Sequence, residues 1–147
     1  AALSFLLGQI GEFLALEPAS AELADARDRL RTAVDDVTAM VGTLTGYLIA
    51  SQENSRELYR VGLESVRFLM AVGDLLIGWL LLQQAHIAYG ALAPDQKAAA
   101  EADRDFYEGK IAAAVFFATT VLPRLTADRH IVENTDVALM DVPEGAF

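Results

Sequence analysis

The chain has 147 residues, of which 54% are hydrophobic and four are proline, so it can bury a core and is not disordered. Its 21 acidic and 11 basic side chains give a net charge of −10, which argues against nucleic acid or an anionic membrane surface as a partner. The absence of cysteine excludes disulfides, thiolate metal sites and cysteine nucleophiles.

Alanine and leucine dominate the sequence, and no segment shows the alternation of apolar and polar residues that is typical of strands. We therefore predict an all-α fold: an antiparallel bundle of four long helices, followed by a short fifth helix and a C-terminal tail. No linker divides the chain, so residues 1–147 are expected to form a single helical domain.

The first predicted helix is amphipathic, with apolar residues at helical spacing: Leu3, Leu6, Leu7, Ile10, Phe13 and Leu14. Pro18 ends it, and Ser20 is a suitable N-cap for the second helix. The chain begins without an initiator methionine or a signal-peptide pattern. We therefore expect a piece of a longer, cytoplasmic polypeptide.

The second predicted helix carries a bundle seam in which two series of residues repeat every seven positions: Leu23, Leu30, Val37 and Leu44, and Ala26, Ala33, Met40 and Tyr47. Further apolar residues widen this stripe: Val34, Val41 and Leu48. Gly42 and Gly46 predict the close approach of a neighbouring helix. The charged residues are expected mostly on the solvated side: Arg27, Asp28, Arg31, Asp35 and Asp36.

The third predicted helix follows a polar break at Ser51–Ser55, where Asn54 and Glu57 resemble a capping box. Its first turns carry an ion-paired, exposed face: Glu57, Arg60, Glu64 and Arg67. From Val66 to Leu82 the helix is apolar on all sides, which predicts burial against several neighbours. This run is short for a membrane span and contains Asp74, so no membrane span is expected.

Ala93–Asp95 forms the next break, with Pro94 in the first turn of a fourth helix. Its predicted inward stripe consists of Ala102, Phe106, Gly109, Ala113, Phe116 and Thr120. A second apolar strip consists of Ile111, Phe117 and Val121. Pro123 ends the helix, and Thr126 is the expected cap of a short fifth helix that carries Ile131, Val132 and Leu139.

No catalytic or metal-binding pattern is present in the sequence. A di-iron bundle needs Glu-x-x-His on two helices, and no glutamate here has a histidine three residues later. No Gly-x-Ser-x-Gly elbow, phosphate cradle or dinucleotide fingerprint occurs either. The prediction is no catalytic residue, no cofactor-binding residue and no metal ligand.

Three residues are nevertheless candidates for a pocket: Asp74, Trp79 and His86. A carboxylate inside an apolar helix, such as Asp74, must be paired, protonated or directed at a polar opening. It is either a tuned acid or base, or an acceptor of hydrogen bonds from a neighbouring helix, and we favour the second alternative. Trp79 is expected in the core, and His86 is expected to be a hydrogen-bonded, partly buried residue.

Three stretches carry a family resemblance: Leu58–Ala85 (LYRVGLESVRFLMAVGDLLIGWLLLQQA), Ala102–Leu125 (ADRDFYEGKIAAAVFFATTVLPRL) and the ending from Glu133 (ENTDVALMDVPEGAF). The chain resembles the extra C-terminal helical domain of long bacterial acyl-CoA dehydrogenases, including the 3-methylmercaptopropionyl-CoA dehydrogenase group. The resemblance extends from about Ala2 to Phe147, and its most specific part runs from FYEGK to VLPRL.

The resemblance implies a parent enzyme that uses FAD to dehydrogenate acyl-CoA thioesters between Cα and Cβ, in fatty-acid and acyl-CoA catabolism. In that family the flavin, the thioester pocket and the catalytic glutamate belong to the dehydrogenase core that precedes this domain. Tyr107, Glu108 and Gly109 repeat letters of the family's catalytic YEGT-like motif, but they lie within the extra domain. Glu108 is therefore not expected to be the base, and the piece alone is expected to bind no FAD and to be inactive.

The resemblance implies the dehydrogenase core of the same polypeptide as the partner of this domain, in a homo-oligomer whose dimer it supports. Such a piece should have an apolar patch where the core was. The competing hypothesis is a self-standing helical interaction or dimerisation module with no enzymatic parent and a mostly polar exterior. A third hypothesis, a bundle that binds a small molecule, requires a cavity beside Asp74 or Trp79.

Overall fold

The computed structural model describes residues 2–93 and 101–146, and at residues 101 and 102 only the backbone. All regular elements in these ranges are helical. They are α1 (Ala2–Leu14), α2 (Ala21–Ala50), α3 (Glu57–Ala91), α4 (Glu101–Thr120), α5 (Arg124–Asn134) and two short 3₁₀ helices, Ala138–Asp141 and Glu144–Ala146. The all-α prediction is confirmed, whereas the predicted break at Pro94 and Asp95 lies outside the described residues.

Of the three N-caps predicted from the sequence in the described residues, one is confirmed. The Ser20 hydroxyl accepts a hydrogen bond from the Leu23 N–H at 3.2 Å, which confirms it as the N-cap of α2. The capping box at Asn54 is wrong, because its side chain accepts from the Arg56 N–H instead. Thr126 does not cap α5, which already begins at Arg124; its hydroxyl donates to Asp36.

One continuous core joins the helices, with α2 in contact with α1, α3, α4 and α5, and α3 in contact with α2, α4 and α5. The predicted seam of α2 is confirmed over its first three heptads, where Leu23, Ala26, Leu30, Ala33, Val37 and Met40 are buried. It weakens after that, because Leu44 and Tyr47 are half-buried and Leu48 is exposed. A methyl group at Gly42 or Gly46 would meet no described atom within 4 Å, so no helix of the described chain approaches these glycines.

A close approach occurs between α3 and the turn that follows α4. A Cβ atom at Gly78 would lie 2.8 Å from the Cδ2 atom of Leu122, which is buried. Along the same pair of helices, the Lys110 ammonium donates to the Gln84 side-chain oxygen at 3.0 Å. Gly78 is therefore small because a buried leucine fills the space beside it.

The prediction that α3 is buried on several sides is wrong for the described chain. Only one stripe of the helix is buried, and it consists of Glu64, Ala71, Leu75, Gly78, Leu82, Ala85 and Ala88. The neighbouring helices cover this side alone, so the opposite apolar side is left in contact with solvent.

The prediction of which face of α4 packs against the core is wrong. The predicted inward stripe is exposed at Phe106, Gly109, Ala113, Phe116 and Thr120, and the side chain of Ala102 lies outside the described residues. Ala114, Ala118 and Leu122 are buried instead, with Ile111 and Phe117 of the second strip against the same core. Both faces of α4 are apolar, so periodicity alone did not distinguish them. The small alanines face inward, where they allow a close approach to the other helices.

Candidate interaction surface

The outward side of α3 carries apolar residues in a regular order, here called the α3 seam. Its members alternate at spacings of four and three residues: Tyr59, Leu63, Val66, Met70, Gly73, Ile77, Leu80, Gln84 and Ile87. The seven large apolar members are 38% to 70% exposed. This is the spacing with which a helix contacts a neighbouring helix, but no described helix occupies this side.

The outward side of α4 continues this surface. Phe106 and Phe116 are 59% and 67% exposed. The two sides meet at a groove of about 180 Å³ that is lined by Gln84, Ile87, Ala88, Phe106, Tyr107 and Lys110. We call the α3 seam together with the exposed residues of α4 (Phe106, Gly109, Ala113, Phe116 and Thr120) the α3–α4 face.

Two helical stretches, Glu57–Ala91 and Asp103–Asn134, are long and apolar enough to span a membrane by length and composition. In each, only 22% of the apolar window is buried. The core helices of soluble proteins meet the same criterion, so length and composition alone do not identify what covers these stretches.

Asp74 lies at the border between the buried stripe of α3 and the α3 seam. It is half-buried, and helical spacing places it between Met70 and Ile77 on one side of the helix. Within residues 2–93 and 101–146, its carboxylate makes no hydrogen bond and no ion pair. A partner for Asp74 on a neighbouring helix is thus not found in the described part of the chain.

Trp79 and His86 lie on a different side of α3, towards α1. Trp79 lines a shallow groove of about 300 Å³ together with Gln9, Glu12, Phe13, Leu16 and Gln83. The His86 ring meets the Phe13 ring edge-on, with the centroids 6.3 Å apart, and its Nδ1 atom is 3.3 Å from an Arg27 nitrogen. Because Asp74 is on the other side of the helix, the three candidate residues do not form one site.

Arg27 and Asp36 were predicted to be solvated, and both are buried, with 4% and 3% of their surface exposed. Arg27 donates to the Leu16 carbonyl at 2.5 Å and lies over the Phe13 ring, 4.5 Å from its centroid. Burial lowers the pKa of the Arg27 guanidinium, and the nearby Arg31 lowers it further. A signal was present in the sequence, since Arg27 is seven residues before Val34, on the strip that widens the seam.

A second polar cluster joins α3 to α5. Arg67 forms ion pairs with Glu64 at 2.8 Å and with Asp128 at 2.9 Å, and the Thr135 hydroxyl donates to Glu64 at 2.7 Å. The hydrogen bonds to Asp128 and Glu64 raise the pKa of Arg67. The ion pairs predicted at the start of α3 are confirmed, but Glu64 is buried rather than exposed.

The described residues contain no group of three or more His, Asp or Glu side chains that could hold a metal ion. The polar clusters are internal links between helices, and each is satisfied by its own ion pairs and hydrogen bonds. Among the described residues, no helix covers the α3–α4 face. Exposed apolar surface of this kind marks a contact site for protein or for a membrane.

Residues 6–143 match the family model described as Acetyl-CoA dehydrogenase C-terminal like, so the chain belongs to this family. Among known proteins, it is 48% identical over 146 residues to the broad-specificity linear acyl-CoA dehydrogenase FadE5 of Mycobacterium tuberculosis. It also resembles two butyryl-CoA dehydrogenases of Syntrophomonas wolfei, with 34% identity over 87 residues and 29% over 83 residues.

The matches cover very unequal shares of the chains involved. The mycobacterial match includes 99% of this chain but only 23% of that protein. The two matches in Syntrophomonas wolfei include 59% and 56% of this chain, and 14% and 13% of the respective relatives. The chain therefore spans less than a quarter of the length of each of these relatives.

Proposed function

We propose that this chain is the non-catalytic C-terminal helical domain of an FAD-dependent acyl-CoA dehydrogenase that acts in the cytoplasm. The remaining polypeptide would bind the flavin and the thioester and would hold the base that removes the α-proton while the β-hydride passes to FAD. This domain contacts that dehydrogenase core through the α3–α4 face and supports the homo-oligomer. The exposure of this apolar face is the observation that carries the proposal.

The proposed architecture is a single antiparallel bundle over residues 1–147. Two contacts between α2 and α3 support it, because the end of α2 meets the start of α3 and the start of α2 meets the end of α3. The Arg60 guanidinium lies 5.1 Å from the centroid of the Tyr47 ring, and Arg27 contacts His86. The pairs Gln84–Lys110 and Gly78–Leu122 support the same opposed direction for α3 and α4.

Protein is a better cover for the α3–α4 face than lipid. Asp74 lies in the middle of the apolar window of α3, where a carboxylate is costly in a bilayer. The net charge of −10 also disfavours an anionic lipid surface. Contact with the dehydrogenase core would remove the apolar side chains from water without either cost.

Glu108 does not have the environment of a catalytic base. This glutamate is exposed on α4, and its carboxylate forms an ordinary ion pair with Arg104 one turn earlier, at 3.2 Å. The groove beside Trp79 remains a feature of the domain surface to which the proposal assigns no ligand. The proposal thus keeps catalytic, cofactor and metal sites out of this chain.

The self-standing module is the alternative, and its expectation of a mostly polar exterior does not agree with the structure. Twenty large apolar side chains are exposed in the described residues, and seven of them lie along one side of α3 in the α3 seam. An apolar face of this extent is expected to be covered in a working protein. If the chain is a domain of a larger enzyme, the rest of that enzyme covers this face.

The test is the size of the native polypeptide, measured by probing a lysate of the source cells with an antibody against this chain. A band several times larger than 15.8 kDa that copurifies with flavin absorbance is the expected result. A native band near 15.8 kDa would refute the proposal.

A truncation addresses the role of the domain within the parent enzyme. Removal of this domain is expected to destabilise the dimer and lower the thermal midpoint of the dehydrogenase, because apolar surface is left exposed on the core. A truncated enzyme with unchanged dimerisation, stability and kinetics would rule out the supporting role.

A further inference from the structure

We infer that the α3 seam receives one helix of the dehydrogenase core of the same polypeptide, and that this helix places an arginine or lysine opposite Asp74. The inference rests on the proposed function and adds the type of element that covers the seam and the charge that it must carry.

The spacing of the seam indicates a helical occupant. From Tyr59 to Ile87 its members alternate at four and three residues, over 28 residue steps or about 42 Å of helix. This alternation keeps side chains aligned with a second helix that crosses at a shallow angle of about 20°. A loop or a lone strand against this apolar strip would leave backbone groups without hydrogen bonds, whereas a helix satisfies its own.

Gly73 occupies the middle of the seam. A methyl group there would meet no described atom within 4 Å, so nothing in the described chain requires a glycine at this position. Its seam neighbours Met70 and Ile77 are large, so the absent side chain leaves a depression between them. A depression of this kind accepts a bulky side chain from a facing helix.

Asp74 indicates that the helix that covers the seam carries a positive charge. It is the only Asp, Glu, Lys or Arg between residues 68 and 93, and it is next to Gly73 at the centre of the seam. Covering the seam removes water from a carboxylate that has no ion pair in the described chain. Such a carboxylate is tolerated only if the cover supplies a compensating cation or strong hydrogen-bond donors.

The same carboxylate argues against a second copy of α3 as the occupant. In an antiparallel pair centred on Gly73, Asp74 of one copy would lie beside Asp74 of the other, and in a parallel pair in register it would face Leu69 of the other copy, which supplies no cation. In the antiparallel pair, two carboxylates would be desolvated together, between chains that each carry a charge of −10. A helix of the core of the same polypeptide avoids this repulsion, and more than three quarters of the mycobacterial relative lies outside the part that this chain matches.

The first experiment maps the occupant in the full-length parent enzyme. The photoreactive residue p-benzoylphenylalanine replaces Val66 or Leu80 on the seam, and Arg31 on the exposed side of α2 as the matched control. Mass spectrometry is expected to find crosslinks from both seam positions to one segment outside residues 1–147, at sites about 14 residues apart along a helix. The control is expected to give no crosslink to that segment.

Crosslinks from the seam to residues 1–147 of another copy would overturn the inference, as would crosslinks to a loop or no crosslinks at all. These outcomes would leave intact the proposal that the chain is a domain of an acyl-CoA dehydrogenase, if the native polypeptide is large and carries flavin, but not the proposed contact through the α3 seam. A native polypeptide of about 15.8 kDa would overturn both, because the occupant would not exist.

The second experiment tests the charge. Asp74→Arg in the parent enzyme is expected to lower its thermal midpoint by several degrees, whereas Asp35→Arg, at an exposed position on α2, is expected to leave it unchanged. Changing the basic residue nearest to Asp74 in the crosslinked helix to glutamate should restore at least half of the loss. Absence of the loss, or absence of rescue, would refute an ion pair at Asp74.

Discussion

Arg27 and Asp36 illustrate how individual charged residues act in this domain. Both are buried in α2, and each links helices: Arg27 contacts Leu16 after α1 and His86 in α3, and Asp36 accepts from Thr126 in α5. Residue type alone predicts exposure for both, because charged residues are seldom buried without partners. The partners are 11 to 90 residues away in the sequence and become visible only once the helices are in place.

Ser20 is the residue for which sequence and structure agree most directly. Replacing it with alanine removes the hydrogen bond to the Leu23 N–H and is expected to lower the free energy of unfolding by about 1 kcal/mol. Urea denaturation of the chain measures this loss. Ser55→Ala, at an exposed position before α3, is the control and should change stability by less than about 0.5 kcal/mol.

A side chain at position 78 is predicted to destabilise the domain. Gly78→Ala would place a methyl group 2.8 Å from the buried Leu122 side chain, so we expect a loss of about 1 kcal/mol from overpacking. Gly46→Ala, at an open helical position, should instead gain up to about 1 kcal/mol from helix propensity. Equal urea midpoints for the two variants would contradict the close contact.

At the level of elements, the sequence predicted the existence and type of each helix better than the direction of its faces. Apolar periodicity located the five helices, and the heptads of α2 identified its core residues correctly up to Met40. In α3 and α4 both faces are apolar, so periodicity carried no information on which face a neighbour would occupy. The large aromatic residues Phe106 and Phe116 suggested the inward face, but the small alanines occupy it.

The link between α3 and α5 gives a prediction for one element. Arg67→Met removes the ion pairs with Glu64 and Asp128, leaves Glu64 buried with only the Thr135 hydroxyl, and is expected to cost about 2 kcal/mol. Amide hydrogen exchange in Arg124–Asn134 should accelerate more than exchange in α2.

The control is Arg104→Met, which removes an exposed ion pair on α4 and is expected to cost less than about 0.5 kcal/mol. If the two arginine variants had the same effect on exchange in α5, the cluster around Arg67 would not be what holds this helix.

For the whole molecule, a substitution on the α3–α4 face is predicted to change the association of the domain without changing its free energy of unfolding. Phe116→Glu should leave the unfolding free energy of the isolated chain within about 0.5 kcal/mol, because the side chain is mostly exposed. It should also reduce self-association in sedimentation measurements, since a charge interrupts the apolar face.

In the parent enzyme, Phe116→Glu is expected to lower the thermal midpoint, because the new carboxylate would be buried at the contact with the core. Thr45→Glu, on the exposed side of α2, is the matched control and should behave like the unmodified protein in both settings. An unchanged midpoint for Phe116→Glu in the parent would show that this part of α4 is not covered there.

The uncovered α3–α4 face also has a consequence for protein quality control in the cell. Exposed apolar surface makes a polypeptide prone to aggregation and is a reason why chaperones exist. A polypeptide reduced to this domain by proteolysis would present the α3 seam continuously, even while fully folded. If the proposed function is correct, attachment to the dehydrogenase core therefore also protects this domain from chaperones and proteases.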